Sequence, residues 1–206
     1  MRRRLIMLTR KELKLNAKEQ LRNNWGVAIG VIITLSLIGA LIGYIFRGYQ
    51  DVTSILTVES VVIAIVTAPL NLGVAILFLN IANKREAKYG DLFSGFNKIL
   101  KVVGITILVD IIVFIGFILF IIPGIILSFR YSQVYYILAE NPDIGIVECL
   151  KESGKIMKGR KWDYFVLSLS FILWYILMIF TFGIAGLYVI PYYQATITNF
   201  YLQIKE

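Results

Sequence analysis

Charge is absent from long stretches of this chain, and the gaps between charges set the elements. Nothing between Arg22 and Arg47 is charged, and nothing between Glu59 and Lys84. Each gap holds the roughly 20 apolar residues that a helix needs to cross a hydrocarbon core. They predict spans over 25–46 and 61–82. The stretch from Val102 to Ala139 carries only Asp110 and Arg130. As one helix its 38 residues would run roughly 57 Å, nearly two bilayer cores. Ile121-Ile122-Pro123-Gly124 supplies the break, since proline disrupts a helix interior and glycine permits a turn. Spans over 102–122 and 124–139 follow. Tyr164 to Ile204 is likewise too long for one crossing and divides at Gly183-Ile184-Ala185-Gly186, giving spans over 163–182 and 184–203. Pro191 is expected to kink the last.

Between the spans the polar pattern changes to that of amphipathic helices. In Asp143 to Gly159, Ile146, Leu150, Ser153 and Met157 share one face, and Glu148, Lys151, Glu152 and Lys155 the other. In Asp91 to Val103, Leu92, Phe96, Ile99 and Val103 align. Near the start, Lys11, Lys14, Lys18 and Arg22 form a basic stripe beside Ile6, Leu13, Ala17 and Leu21. All three read as interfacial helices on the inner leaflet. With Lys151, Lys155 and Lys158, the stripe makes an expected surface for anionic lipid. The fold class is therefore an all-α integral membrane protein. It is a single polytopic domain over 1–206, with six transmembrane helices as three helical hairpins and amphipathic helices on the cytoplasmic side. Identity between the three units is weak, so the repeat is one of architecture, and hydropathy alone can produce it.

Composition confirms the solvent. Of the residues 58% are hydrophobic, 17% are charged and mean hydropathy is +0.77. A soluble domain has near half and a quarter. The formal net charge of +8 admits nucleic acid or an anionic membrane surface, and position decides. Nineteen of the 21 Lys and Arg residues fall before span one, after spans two and four, or in the tail; Arg47 and Arg130 are the exceptions. The positive-inside rule then puts both termini in the cytoplasm, with membrane lipids rather than nucleic acid as partners. The first apolar run is too long for a secretory signal and reads as a retained span.

Candidate chemistry is sparse. There is no histidine, and Cys149 is the single cysteine, so the commonest base, metal ligand and disulfide are absent together. No nucleotide loop or nucleophile elbow appears, and the reading is of a non-enzyme without cofactor or metal. Asp110 and Arg130 are the two charges inside apolar helices. Counted from the cytoplasmic boundaries they lie about 12 and 13 Å deep at 1.5 Å per residue. They are expected within reach of each other, as a structural ion pair or as part of a site. Asn71, Ser132, Gln133, Gln194, Thr196, Thr198 and Asn199 fall in the even-numbered spans. They are expected to face the bundle interior, lining a path or joining helices. Asp110, Arg130, Asn71, Gln133 and Gln194 form the candidate intramembrane site. Tyr135-Tyr136 and Tyr192-Tyr193 are placed to stack on a ligand. Gly26 with Gly30 and Gly39 with Gly43 give small-residue spacings in span one, a packing signal within the chain or toward a second copy.

Several short strings in order complete the reading: Glu12-Leu13-Lys14, Asn24-Trp25-Gly26, Asp91-Leu92-Phe93, Ile122-Pro123-Gly124-Ile125-Ile126, Arg130-Tyr131-Ser132, Asn141-Pro142, Met157-Lys158-Gly159, Ser170-Phe171-Ile172-Leu173-Trp174 and Pro191-Tyr192. In these the chain resembles a bacterial family of small polytopic membrane proteins labelled domain of unknown function 975. The family is distantly similar to the membrane domain fused to some glycerophosphodiester phosphodiesterases. The resemblance implies a bacterial cytoplasmic membrane address and carries no catalytic residue onto this chain. Transport or lipid handling through a polar path is the expected work. The alternative is a scaffold or regulator that recruits a partner or anionic lipid through the basic face.

Overall fold

The computed structural model describes residues 8–47 and 60–205. Arg2, Arg3 and Arg4, and the outer loop expected between residues 47 and 60, lie outside the described residues. Within them the chain is all helical. Helix α1 is Arg10–Leu21, α2 Trp25–Phe46 and α3 Ser60–Ala82. A 3₁₀ segment, Tyr89–Lys98, leads into α4, Ile99–Leu119. Then come α5 Ile121–Tyr131, α6 Val134–Glu140, α7 Ile146–Ile156, α8 Lys161–Leu169, α9 Ile172–Phe180 and α10 Gly186–Ile204.

Five stretches are long and apolar enough to cross a membrane: Trp25–Phe46, Val61–Ala82, Tyr89–Leu119, Ile121–Glu140 and Lys161–Phe180. The expected sixth, α10, is not among them. Its burial accounts for the difference. From Val189 to Tyr201 it is enclosed almost throughout, with Thr196, Thr198 and Asn199 among its buried residues. A helix surrounded by other helices meets side chains rather than lipid and can carry polar groups that find partners there.

Burial is concentrated at one end of the bundle. In α3, Val61, Ile63 and Ile65 are exposed, whereas nearly every residue from Ala68 to Ile81 is buried. In α4, Val102 and Ile105 are buried, but Phe114, Ile115 and Phe117 to Leu119 are not; α9 has no buried residue. The closed end is the one that holds α1 and α7. Exposed Leu, Ile and Phe at the other end form a collar that water cannot cover cheaply.

At the closed end the expected interfacial helices turn inward. Leu13, Ala17 and Leu21 of α1 are buried, chiefly against α10. Gln20 exchanges two hydrogen bonds with Asn199: Gln20 Nε2 to Asn199 Oδ1 at 3.0 Å and Asn199 Nδ2 to Gln20 Oε1 at 2.8 Å. Thr9 and Glu12 close a capping box that starts the helix. Lys14, expected on a lipid-facing stripe, instead points into the bundle. It donates to the Ser170 carbonyl at 3.0 Å and lies 4.2 Å above the Phe171 ring. The reason is the break between α8 and α9, which frees a carbonyl that a cation can satisfy; burial lowers the Lys14 pKa in turn. Lys11, Lys18, Arg22, Lys151, Lys155 and Lys158 remain exposed. The apolar face of α7 is likewise covered by protein. Cys149, Leu150, Ser153 and Met157 are buried, and Ser153 Oγ donates to the Arg130 carbonyl at 2.8 Å.

The 3₁₀ segment packs on α3 backbone to backbone. A Cβ at Gly73 would overlap the Leu92 carbonyl, and one at Gly95 the Pro69 carbonyl. Asp91 holds the entry, accepting from Asn80 Nδ2 at 2.9 Å and from the Lys88 amide at 3.0 Å. Leu92 is wholly buried as a result, while Tyr89, Phe93 and Phe96 stay exposed.

The breaks differ from expectation in detail. The α4–α5 reversal falls at Phe120, which is extended (φ −163°, ψ 152°), so Pro123 and Gly124 belong to the first turn of α5. Amides there have no helical acceptor, and proline loses nothing by lacking one. Gly124 meets the Phe117 ring and Gly116 meets Leu127, so the two glycines set how closely the hairpin closes. After α9, the amide of Gly183 donates to Met178 at 2.8 Å and that of Phe182 to Ile179 at 3.2 Å. This is a Schellman end with Phe182 at φ 50° in the left-handed position.

Candidate functional site

Three features of the closed end create a cavity: the Pro69 and Pro191 positions in α3 and α10, the short unwound link Ser132-Gln133 between α5 and α6, and the start of α8. Proline withdraws one backbone donor from each long helix and loosens its local packing. Two residues after Pro69 stands Asn71, and just after Pro191 stand Tyr193 and Gln194. These side chains, with Ser132, Tyr135, Tyr136 and Tyr164, line a cavity of about 250 Å³ whose apolar wall is Val74, Ala75 and Ile197.

The polar atoms are partly committed. Thr106 and Tyr135 hydroxyls lie 2.9 Å apart and join α4 to α6. The Tyr136 hydroxyl donates to Gln194 Oε1 at a long 3.5 Å, and its ring stacks on Tyr201 at 5.1 Å. Ser168 and Tyr193 hydroxyls are 3.2 Å apart. Gln133 is wholly buried behind Ser132, donating from Nε2 to Ser132 Oγ at 2.7 Å. Its Oε1 has no hydrogen-bond partner among the described residues. An unmet buried acceptor costs about 1–3 kcal/mol, so one retained beside a cavity is a mark of a working site.

Asn71 and Gln194 of the expected site therefore share one cavity, with Gln133 one residue behind it; Asn71, expected to face the bundle interior, is exposed there. Asp110 and Arg130 do not line it, and they do not form the expected ion pair. Their levels are similar: Asp110 stands four residues from Thr106 and Arg130 five from Tyr135, on either side of the Thr106–Tyr135 contact. Their directions differ. Tyr135 takes the face toward α4, while Arg130 turns to α7, where its Nε would lie 2.7 Å from a Cβ on Gly154. Both charges are exposed. Tyr164 went unremarked in sequence because it opens an apolar run, with no periodicity to single it out.

The lining offers hydroxyls, amides and aromatic rings, and no carboxylate, amine or guanidinium. It can donate and accept hydrogen bonds and stack, but holds no acid–base pair of ordinary pKa. No group of three or more acidic, cysteine or histidine side chains among the described residues is placed to hold a metal ion.

Five helices long and apolar enough to cross a membrane, packed at one end beside a neutral polar cavity, are consistent with a helical bundle of the multi-pass membrane class. The family described as Protein of unknown function (DUF975) matches residues 7–126 and 105–206, and the chain belongs to it. No curated protein and no solved structure matches the chain. The further similarity to the phosphodiesterase membrane domain stays an expectation from the sequence.

Proposed function

We propose that this protein is a six-span protein of a bacterial cytoplasmic membrane, both termini inside. Its cavity binds the uncharged, hydrogen-bonding part of a small molecule or lipid during transport or lipid handling. The observation that carries this reading is the convergence of Asn71, Ser132, Gln194 and four tyrosines from four helical segments on one cavity of about 250 Å³. Polar groups brought together inside an apolar bundle, beyond what helix pairing requires, are the usual signature of a binding site. The spread of basic residues supports the even span count, with α10 crossing as the shielded member. The lining also favours binding over catalysis, with no cofactor or metal. In a deletion strain profiled for lipids and exported metabolites, wild type and Asp110→Asn should restore the profile. Asn71→Leu with Gln194→Leu should not, at equal protein amount. Full restoration by the cavity variant would remove the cavity from function.

A second reading is favoured by one observation. Lys11, Lys18, Arg22, Lys151, Lys155 and Lys158 are exposed on helices whose apolar faces are already covered by protein. Lys155 pairs with Glu152 at 3.2 Å, and the charge of the other five is free for an anionic headgroup or an acidic partner, as a scaffold or regulator would use it. Replacing all six by Gln would then abolish complementation while the cavity variant retained it. Span one supports a homo-oligomer, because Cβ atoms on Gly39 and Gly43 would meet nothing within 4 Å among the described residues.

A further inference from the structure

A second concavity lies on the far side of the aromatic wall. Its floor is Leu13 of α1, Val166 and Leu167 of α8, and Phe200 of α10; its rim is Arg10, Arg160 and Trp162. It encloses about 440 Å³, within the range of about 300–1,000 Å³ common to ligand sites. The three elements that form it are the helix before span one, the start of span five and the end of span six. All sit at the boundary where basic residues gather.

The rim has the chemistry of a headgroup site. Arg10 forms no ion pair among the described residues. Arg160 lies 3.7 Å from Asp163, which also lines the groove, so the three groups leave one net positive charge. Trp162 is 71% exposed beside them, in the amphipathic position that indole rings take at the interface between headgroups and acyl chains. Thr9 and Gln203 also line the groove, and the rest of its lining below the rim is apolar. Charge at the interface above an apolar trough fits an anionic amphiphile with its phosphate up and a chain down.

We infer that this groove holds one anionic phospholipid of the inner leaflet. Its phosphate lies between Arg10 and Arg160, and one acyl chain lies over Leu13, Val166, Leu167 and Phe200. The Phe200 ring packs at 5.6 Å on Tyr164, which lines the neutral cavity, so a seated chain would press on the wall shared by the two sites. The inference does not depend on the neutral cavity being a binding site.

The test is native mass spectrometry of the purified full chain, titrated with phosphatidylglycerol or phosphatidylcholine. Wild type should retain one phosphatidylglycerol in preference to phosphatidylcholine, by about fivefold for the one net positive charge of the rim. Arg10→Gln with Arg160→Gln should remove that preference, while Lys84→Gln with Arg85→Gln, exposed basic residues outside the groove, should keep it. Val166→Trp, which fills the trough without altering charge, should lose retention of both lipids at this site, and it decides the matter should the arginine variant fail to fold. Excess inorganic phosphate should not displace the lipid. Equal retention of both lipids by wild type, an unchanged preference in the arginine variant, or unchanged retention in Val166→Trp would each overturn the inference.

Discussion

Replacing Gly73 by Ala should destabilise the protein although alanine favours helix. The Cβ would overlap the Leu92 carbonyl, and both partners are backbone, so no side-chain rotation relieves it. Overpacking of this kind costs about 1–3 kcal/mol, and here the upper end applies. Relief requires the 3₁₀ segment to lift from α3 and uncover the wholly buried Leu92, a further loss of about 2 kcal/mol. Against this, Gly→Ala inside a helix returns about 1 kcal/mol. The balance is about 3–4 kcal/mol, or a melting point lower by roughly 10 °C for a chain of this length. Gly95→Ala, overlapping the Pro69 carbonyl, should behave similarly without the helix gain. The assay is built into the molecule: Cys149, the single cysteine, is wholly buried, and burial pushes its pKa up to about 11. A thiol-reactive fluorogenic dye in detergent will therefore report unfolding. Gly39→Ala and Gly43→Ala, with open space at each Cβ, should melt at or above wild type. The reasoning fails if Gly73→Ala melts no lower than Gly39→Ala.

Three further outcomes follow from the same geometry. Asp110→Asn and Arg130→Gln should change stability additively, with a coupling below about 0.5 kcal/mol in a double-mutant cycle, because no ion pair joins them; a larger coupling would mean that they meet. Lys84 sits at φ 55° in a Schellman end, with Arg85 N donating to Asn80 O at 2.8 Å; Lys84→Gly should raise stability by about 1 kcal/mol, and a loss in chemical or thermal unfolding would refute the strain. A reporter active only outside should stay silent at the C-terminus and respond at Gly183, and a C-terminal outside signal would break the six-span proposal.

The parts of the fold legible in sequence were those fixed by solvent alone. The first two apolar runs, read as 25–46 and 61–82, correspond to Trp25–Phe46 and Val61–Ala82, because lipid exposure forbids charge and charge marks the ends. Periodicity likewise picked the buried face of α7 at Leu150, Ser153 and Met157, since amphipathicity records which side is apolar. It does not record what covers that side, and protein covers it here rather than lipid. Within the chain the closest approaches fall not at the glycine spacings of α2 but at Gly73 and Gly95, which stand in no motif, because their partners are backbone atoms remote in sequence. For Asp110 and Arg130, counting along a helix said nothing of rotation about the axis, which the Ser132-Gln133 break resets. Most of the cavity lining was visible in sequence, Asn71, Ser132 and Gln194 as polar groups in apolar runs and Tyr135, Tyr136 and Tyr193 as members of tyrosine pairs. Tyr164 was not, because its role comes from three segments meeting in space.

The central claim is that the cavity between α3, α6, α8 and α10 receives a ligand. Tyr193 lines it, and Phe182 at the turn after α9 is 97% exposed. Benzoylphenylalanine placed at either position and irradiated in living cells captures whatever touches that site, and mass spectrometry of the purified protein reads the adduct. The account predicts a discrete adduct at Tyr193 that is absent at Phe182 and is lost when Asn71→Leu and Gln194→Leu are added. The same bulk phospholipid adducts at both positions, or none at Tyr193, would contradict it.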